Sequence, residues 1–490
     1  MVGFVEQAHG HIPLRGVPDR GGHAPLRQST LSIAGPGVDD TAEDFVVGRQ
    51  GRAELTIEGG GKVDVQENMR VARQIGSVGD VVVSGLVVDE IAGKTAASTL
   101  EVGGKLFVAH EPGDGLAPAA GGDGSLTILN GAKVVVENET IVGAPLADRA
   151  TLSIEGGTLE TQGLDVNSTF TFAGGTLHLA GGVLRGFRGS DFEVDDELGE
   201  TLRLSQGAIF DVEDDNAGDT LLVGDSETGT FEMRGGALAA VRHLRAARFG
   251  GDATIDLAGD GTQLFVSGDV QAGFSRTDVG LNGGEPIRLP GGEATISVTA
   301  GARLEVGRDM ELGEDASLDL ADGTVLARLV DTYGDVTGTG TIRAADFRPR
   351  GLLAPGASTG ALAIDGDMTQ GPDSILSLEI AGLGEGPIDE LTVLGDATLA
   401  GTLELIFRDV FAPAQGDVIP LVDVAGQGVD SFDTVSLVNL KPGFEYETGF
   451  NADGLFELTA LNDAEYIPEP TTMGLLALAG LLTIRRRRSG

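Results

Sequence analysis

Residues 150–162 read ATLSIEGGTLETQ, and this stretch decides the fold. Leu152 and Ile154 alternate with Thr151, Ser153 and Glu155, the two-residue period of a strand with one buried face. Gly156 and Gly157 follow, and glycine takes the positive φ of a tight corner at no steric cost. Leu159 then resumes the apolar phase. The same sentence recurs along the chain. It appears as AELTIEGGGKVDVQ at 53–66, GSLTILNGAKVVVE at 124–137, GTFEMRGGALAAV at 229–241, ATIDLAGDGTQLFVS at 253–267, ATISVTAGARLEVG at 294–307 and SLDLADGTVLAR at 317–328. Strands this short cannot stand alone. Repeats of 20–50 residues mark a solenoid, in which each coil buries the face of its neighbour. The expectation is an all-β protein, a right-handed parallel β-helix of about 12–15 coils stacked about 4.8 Å apart. No long stretch of helical period occurs before the C-terminal tail.

Composition agrees with that architecture. The chain has 490 residues, with 78 Gly and 18 Pro, below the roughly 25–30% of disordered Pro/Gly chains. Hydrophobic residues are 41%, aromatics only 4% and Trp absent, so the expected core is Leu, Val, Ile and Ala in many thin layers. There is no Cys, which excludes disulfides, thiolate metal sites and cysteine nucleophiles. The net charge of −42 repels phosphate backbones, so nucleic acid is not an expected partner. Most of the acids have an ordinary role in solvating outward strand positions.

The tail has a different grammar. Pro468-Glu469-Pro470 precedes the apolar run TTMGLLALAGLLTI at 471–484, and Arg485, Arg486, Arg487 and Arg488 follow at once. As a helix the run is about 21 Å long. It would cross the roughly 30 Å hydrocarbon core only with snorkelling arginines or local thinning. The arginines place the C-terminus on the cytoplasmic side. The prolines keep a helix from running back into the body. This three-part order over about residues 466–490 resembles the PEP-CTERM sorting signal of Gram-negative bacteria. That resemblance implies a short C-terminal transmembrane helix. It also implies an exosortase-type processing enzyme as partner and export to the cell envelope or beyond. It further implies a secretory leader. Residues 1–30 hold no apolar run of 7–15 residues. The expectation is therefore a start codon upstream of Met1, the alternative being a cytoplasmic protein with an unused tail.

Residues 346–461 change character again. They carry LLAPGASTGALAIDGDMTQ at 352–370 and DELTVLGDATLAGT at 389–402. These stretches resemble the C-terminal part of autotransporter passenger domains, which implies further coils or a β cap. No terminal barrel of the autotransporter kind is expected, so their route of self-translocation is not expected to carry over.

Catalytic motifs are present only in part. Gly356-Ala357-Ser358-Thr359-Gly360 fits G-x-S-x-G, but a nucleophile elbow of that type needs a later histidine. His9, His11, His23, His110, His178 and His243 all precede Ser358. Gly93-Lys94-Thr95 has the order that ends a phosphate-binding loop, yet Val88 stands where that loop needs glycine. His9 and His11 have metal-like spacing without a third ligand. Asp211, Glu213, Asp214, Asp215 and Asp219 form the densest acid cluster, and Ca²⁺ is the one cofactor it leaves open. Asn216 occupies the place where an EF-hand loop turns on glycine. Gly121-Gly122-Asp123-Gly124 meets Leu126 where Ca²⁺-binding nonapeptides have aspartate. The carboxylate pair needed for glycoside hydrolysis is not met by Asp195 and Asp196, whose side chains would diverge on a strand.

The organisation expected is a segment at 1–29 without a folding pattern, disordered or a product of a misassigned start. A repeat array follows at 30–345, then the passenger-like β region at 346–461 and the sorting segment at 462–490. The function expected is that of a non-catalytic surface or matrix protein. It would contact exopolysaccharide or serve as an adhesin, with the membrane and a processing enzyme as further partners. The alternative is a secreted polysaccharide lyase or glycoside hydrolase on the same β-helix. No residue is assigned a catalytic, cofactor or metal role. Removal of divalent cations by a chelator should leave the melting temperature unchanged, and a drop would mark a Ca²⁺ site.

Overall fold

The computed structural model describes residues 28–34, 39–42, 45–49, 51–89, 94–111, 119–120, 122–143, 149–187, 191–197, 199–211, 220–278, 287–356, 360–384 and 388–467. Among them every regular element is a strand. No helix among them is long and apolar enough to cross a membrane. The sorting motif and the arginine cluster lie outside the described residues. The chain divides into two compact units, Met1–Asp219 with Glu227–Ala239, and Thr220–Ser226 with Ala240–Gly490.

In the first unit the strands stack in three parallel columns. One column runs through Gln28–Ala34, Arg52–Glu58, Val78–Ser84 and Asp123–Leu129, then residues 150–156 and 169–173. The next runs through Asp39–Ala42, Lys62–Val65, Thr99–Val102, residues 133–136, 158–161 and 175–180, then Glu200–Ser205 and Thr228–Arg234. The third runs from Phe45–Val47 through Met69–Val71 and Leu106–Val108 to Val183–Arg185 and Ile209–Asp211. The chain visits the columns in this order and starts again, which is a β-helix of three faces per coil. Parallel in-register pairing sets like residues above like. Val63, Leu100, Val134, Leu159, Leu177, Leu202 and Phe231 form one continuous inward row, none more than 3% exposed. Each buried side chain of this size contributes about 1.5–3 kcal/mol.

Gly156 has φ +73°, as the corner requires. Gly157 is needed for space instead, since a Cβ there would lie 2.6 Å from Ile128 Cγ2. The core departs from the expectation of aliphatic residues alone. Phe170, Phe172, Phe187, Phe192, Phe210 and Phe231 make a chain of ring contacts inside the first unit, with centroids 5.0–6.5 Å apart. Scarce aromatics are concentrated where this part of the solenoid interior needs volume.

The repeat also resolves differently from its sequence spacing. The stretches beginning at 53, 124 and 150 lie in the first column, whereas 229–233 lies in the second. Look-alike sentences therefore occupy different faces. The long step from Ala253 to Ala294 is one coil, because the two residues are register partners. The extra residues form an antiparallel hairpin, Phe274–Asp278 with Ile287–Pro290. A similar hairpin, Leu86–Asp89 with Lys94–Ala97, lengthens a coil in the first unit.

The second unit repeats the parallel stacking. One of its columns passes from Asp252–Ala258 and Ala294–Thr299 through residues 316–322 and 335–339 to Leu352–Pro355, Ile375–Ile380, and residues 402–407 and 434–438. It ends differently. Val418–Val424 pairs antiparallel with Leu455–Ala460, which pairs with Tyr446–Phe450, so a small antiparallel sheet ends one face. Beside it Gly428–Val438 is the last parallel strand, and its Asp430 and Asp433 are exposed. Charges there discourage pairing with another chain.

Four carboxylates among the described residues are buried: Asp225 and Asp331 pair with Arg248 and Arg350, whereas Glu200 and Asp389 bond to backbone amides. Glu200 is in phase with the buried Leu202 and Leu204 and is 2% exposed. Its oxygens accept from the Gly174 N–H at 3.2 Å and the Asp195 N–H at 2.9 Å. Burial pushes its carboxyl up to about 7, with Asp196 and Asp195 adding repulsion against the pull of the two amides. Asp389, equally buried, accepts from the Gly360 N–H at 3.1 Å and the Glu379 N–H at 2.8 Å. Burial raises it to about 6, the Glu379 charge adding to this and Arg408 opposing it.

The inward and outward phases can be tested by truncation. Leu202→Ala should cost about 2–5 kcal/mol of stability, and Thr201→Ala should stay within about 0.5 kcal/mol, as read by denaturant unfolding. Equal effects would mean the phase is wrong. Glu200 and Asp389 bind protons more tightly folded than unfolded. Stability from them is therefore full below their unfolded values and falls as pH rises through about 7 for Glu200 and about 6 for Asp389. The melting temperature should climb as pH is lowered from 8 to 5. Glu200→Gln should flatten that slope between about pH 4.5 and 7; a slope identical to that of the native chain would refute the assignment.

Candidate functional site

The outward faces of the coils carry the chemistry available for contact with a ligand. On the second column of the first unit, two outward rows run side by side. One is Lys62, Thr99, Lys133, Thr158, Thr176, Thr201 and Thr230. The other is Asp64, Glu101, Val135, Glu160, His178, Arg203 and Glu232, two residues along each strand. Successive members are one strand spacing apart, about 4.8 Å. The threonines follow from sequence and topology together. A β-branched residue suits the pleated surface, its methyl covering the sheet and its hydroxyl reaching water.

The acids of the second row are largely neutralised, two of them by lysines of the first row and one by an arginine of their own. Lys62 pairs with Glu101 at 2.7 Å, Lys133 with Glu160 at 2.9 Å and Arg203 with Glu232 at 2.7 Å. The Lys133 hydrogen bond holds the Glu160 carboxyl below its ordinary range, and Arg203 does the same for Glu232. Between them His178 Nε2 lies 2.8 Å from Ser205 Oγ. Partial burial pushes the His178 imidazolium pKa down, the Glu160 charge opposes this, and Arg203 and Lys133 reinforce it. Exposed pairs of this kind add only about 0–1 kcal/mol each. Their greater effect is to fix long side chains along the row.

The hydroxyl row is different. Among the described residues, Thr158, Thr176, Thr201 and Thr230 make no side-chain hydrogen bond within the protein. Four consecutive coils thus offer donor-acceptor groups at a constant pitch. In the second unit some outward hydroxyls are engaged with one another or with a carboxylate. Ser317 Oγ bonds Thr295 Oγ1 at 3.4 Å, and Thr337 Oγ1 donates to Asp319 at 2.6 Å.

Residues singled out from sequence fall as follows. Pro468, Glu469, Pro470 and Arg485 to Arg488 lie outside the described residues, as do Ser358 and residues 212–219 of the acid cluster. Asp195 and Asp196 sit past the end of strand Phe192–Val194, not on it. Asp195 Oδ1 accepts from the Glu227 N–H at 2.6 Å, and Asp196 bridges Thr228 through its backbone. They shape a turn. His110 is buried, with Nδ1 3.1 Å from the Gly143 carbonyl and its ring stacked on Phe107, a core arrangement. His243 lies 3.2 Å through Nδ1 from the Asp269 N–H. The threonine row escaped the sequence reading because it exists only across coils. Glu200 and Asp389 left a signal that could have been used: each shares the phase of the core residues that follow it.

Neither the family models nor the curated proteins give a match to this chain. Among solved structures, the chain is similar to the Hap adhesin of Haemophilus influenzae, at 10% sequence identity and a TM-score of 0.22. The similarity covers 88% of this chain and 56% of that one, so the chain spans little more than half the length of the adhesin structure.

Proposed function

We propose that this protein is a non-catalytic component of the cell surface or extracellular matrix, a right-handed β-helix whose outward rows contact an extended polysaccharide. The observation that carries the reading is the run of four unpartnered threonines, Thr158, Thr176, Thr201 and Thr230, in register on consecutive coils. A glycan is a chain of hydroxyls, and its per-sugar rise when extended is close to the strand spacing. A row of hydroxyls at that pitch can meet successive sugars with equivalent hydrogen bonds. The handedness follows from the crossover rule for parallel strands. The acidic surface, with a net charge of −42, favours neutral glycans, or acidic ones bridged by divalent cations.

Export and attachment belong to the same reading. Pro468-Glu469-Pro470, the apolar run and Arg485 to Arg488 support sorting through the membrane with the C-terminus cytoplasmic and an exosortase-type enzyme as processing partner. An adhesin differs from a matrix protein here only in which surface carries the glycan.

Co-sedimentation of the purified chain with neutral and acidic polysaccharides, with and without Ca²⁺, tests the proposal. Binding is expected without any release of reducing ends or unsaturated products. The triple variant Thr176→Val, Thr201→Val, Thr230→Val should lose binding while keeping its melting temperature, since each change is at the surface. Turnover of any glycan would replace this function with an enzymatic one, and binding unaffected by the triple variant would remove the threonine row from it.

A further inference from the structure

The described body ends with residues 461–467, and all but one of these seven make a hydrogen bond to the cap region. The Leu461 N–H donates to Glu445 O at 2.9 Å. The Asn462 side chain both accepts from the Glu445 N–H and donates to Gly443 O, each at 2.9 Å. Asp463 Oδ1 accepts from the Gln415 N–H at 2.8 Å. The Ala464 N–H donates to Pro413 O at 2.8 Å, and Glu465 O accepts from the Lys441 N–H at 2.8 Å. Lys441 and Glu465 also form an ion pair. The Ile467 N–H donates to Asn439 O at 2.7 Å, and Tyr466 bridges Leu440 in antiparallel sense. The segment is thus paired with 439–445 and tied to 413–415 up to the residue before Pro468.

Peptidases take their substrates as extended strands, pairing with the substrate backbone over several residues on each side of the bond they cut. Backbone groups already bonded to the body cannot make that pairing until they are peeled away. We infer that residues 461–467 are a clamp that sets the upstream limit of C-terminal processing, so that cleavage falls after Ile467 and the processed protein keeps a fully docked end. Side-chain bonds fix the clamp at its start through Asn462 and near its end through Glu465. Pro468, with no N–H, cannot extend the pairing by a further donor. The clamp itself does not depend on the sorting reading. The statement that a sorting enzyme must read its upstream contacts from Pro468 onward does rest on it.

The test is trimming of the purified full chain by a broad-specificity serine protease, with the limit C-terminus read by intact mass spectrometry. The native chain should resist beyond Ile467, giving a product that ends at 467 or later. The double variant Lys441→Ala, Asn462→Ala removes the ion pair and both side-chain bonds of Asn462. Its product should end within 461–466 and appear at least tenfold faster, with an unchanged melting temperature. Amide exchange at Ala464 and Ile467 gives a second measurement that needs no variant, and slowed exchange at both is expected. Trimming of the native chain into 461–466 at the variant's rate, or exchange at free-peptide rates, would overturn the clamp. Mass spectrometry of the protein from its host separates the two readings. An intact Arg488 there counts against sorting, while trimming and exchange still decide the clamp.

Discussion

The structure depends on one constraint: in-register pairing of parallel strands between coils. Each coil places its residues directly over those of the coil before, so a residue's face is inherited along the column. Leu159, Leu177 and Leu202 are buried because their partners are, and Thr158, Thr176 and Thr201 are outside for the same reason. A slip of one residue in any coil would turn its core outward and its polar row inward. Interior and surface are thus two readings of the same register. Corners such as Gly156 and Gly175 allow the rotation between faces. A Cβ on Gly175 would lie 2.1 Å from the Gly157 carbonyl, so the coils close only if that position stays bare.

Much of this was legible in the sequence, because the alternating pattern is local. Leu152 and Ile154 announce their strand, and the glycine pair announces the corner. Column identity was not legible. GTFEMRGGALAAV at 229–241 reads like ATLSIEGGTLETQ at 150–162, yet they occupy different faces, since three faces built from the same short strand give the same sentence. Spacing misled at the inserts, where one lengthened coil between Ala253 and Ala294 reads like two. The threonine row was invisible for a related reason. Its members are 18 to 29 positions apart along the chain and adjacent only after stacking. The clamp at 461–467 is likewise made by partners at 413–415 and 439–445, which no local pattern connects.

Two of the buried carboxylates are held differently from the charges on the surface. Outside, Lys133 neutralises Glu160 and Arg203 neutralises Glu232. Inside, Glu200 and Asp389 face backbone amides alone, without a cation bonded to either. A carboxylate that accepts two N–H groups fastens two loops at once. Glu200 ties the backbone at Gly174 to that at Asp195, and Asp389 ties Gly360 to the strand bearing Glu379. The cost is dehydration, which is why both acids are held protonated to higher pH than usual.

The inserted hairpins carry a consequence for how such a chain can change over generations. Phe274–Asp278 with Ile287–Pro290 leaves the coil and returns without disturbing the pairing of Ala253 with Ala294. Length is therefore uncoupled from register at the corners. Insertions and deletions there are absorbed as loops that grow or shrink, while a single-residue deletion within a strand invalidates a whole coil. Descendants of this sequence should vary in size at the same few corners and nowhere between, so length variation would trace the corners of the solenoid without reference to any residue's identity.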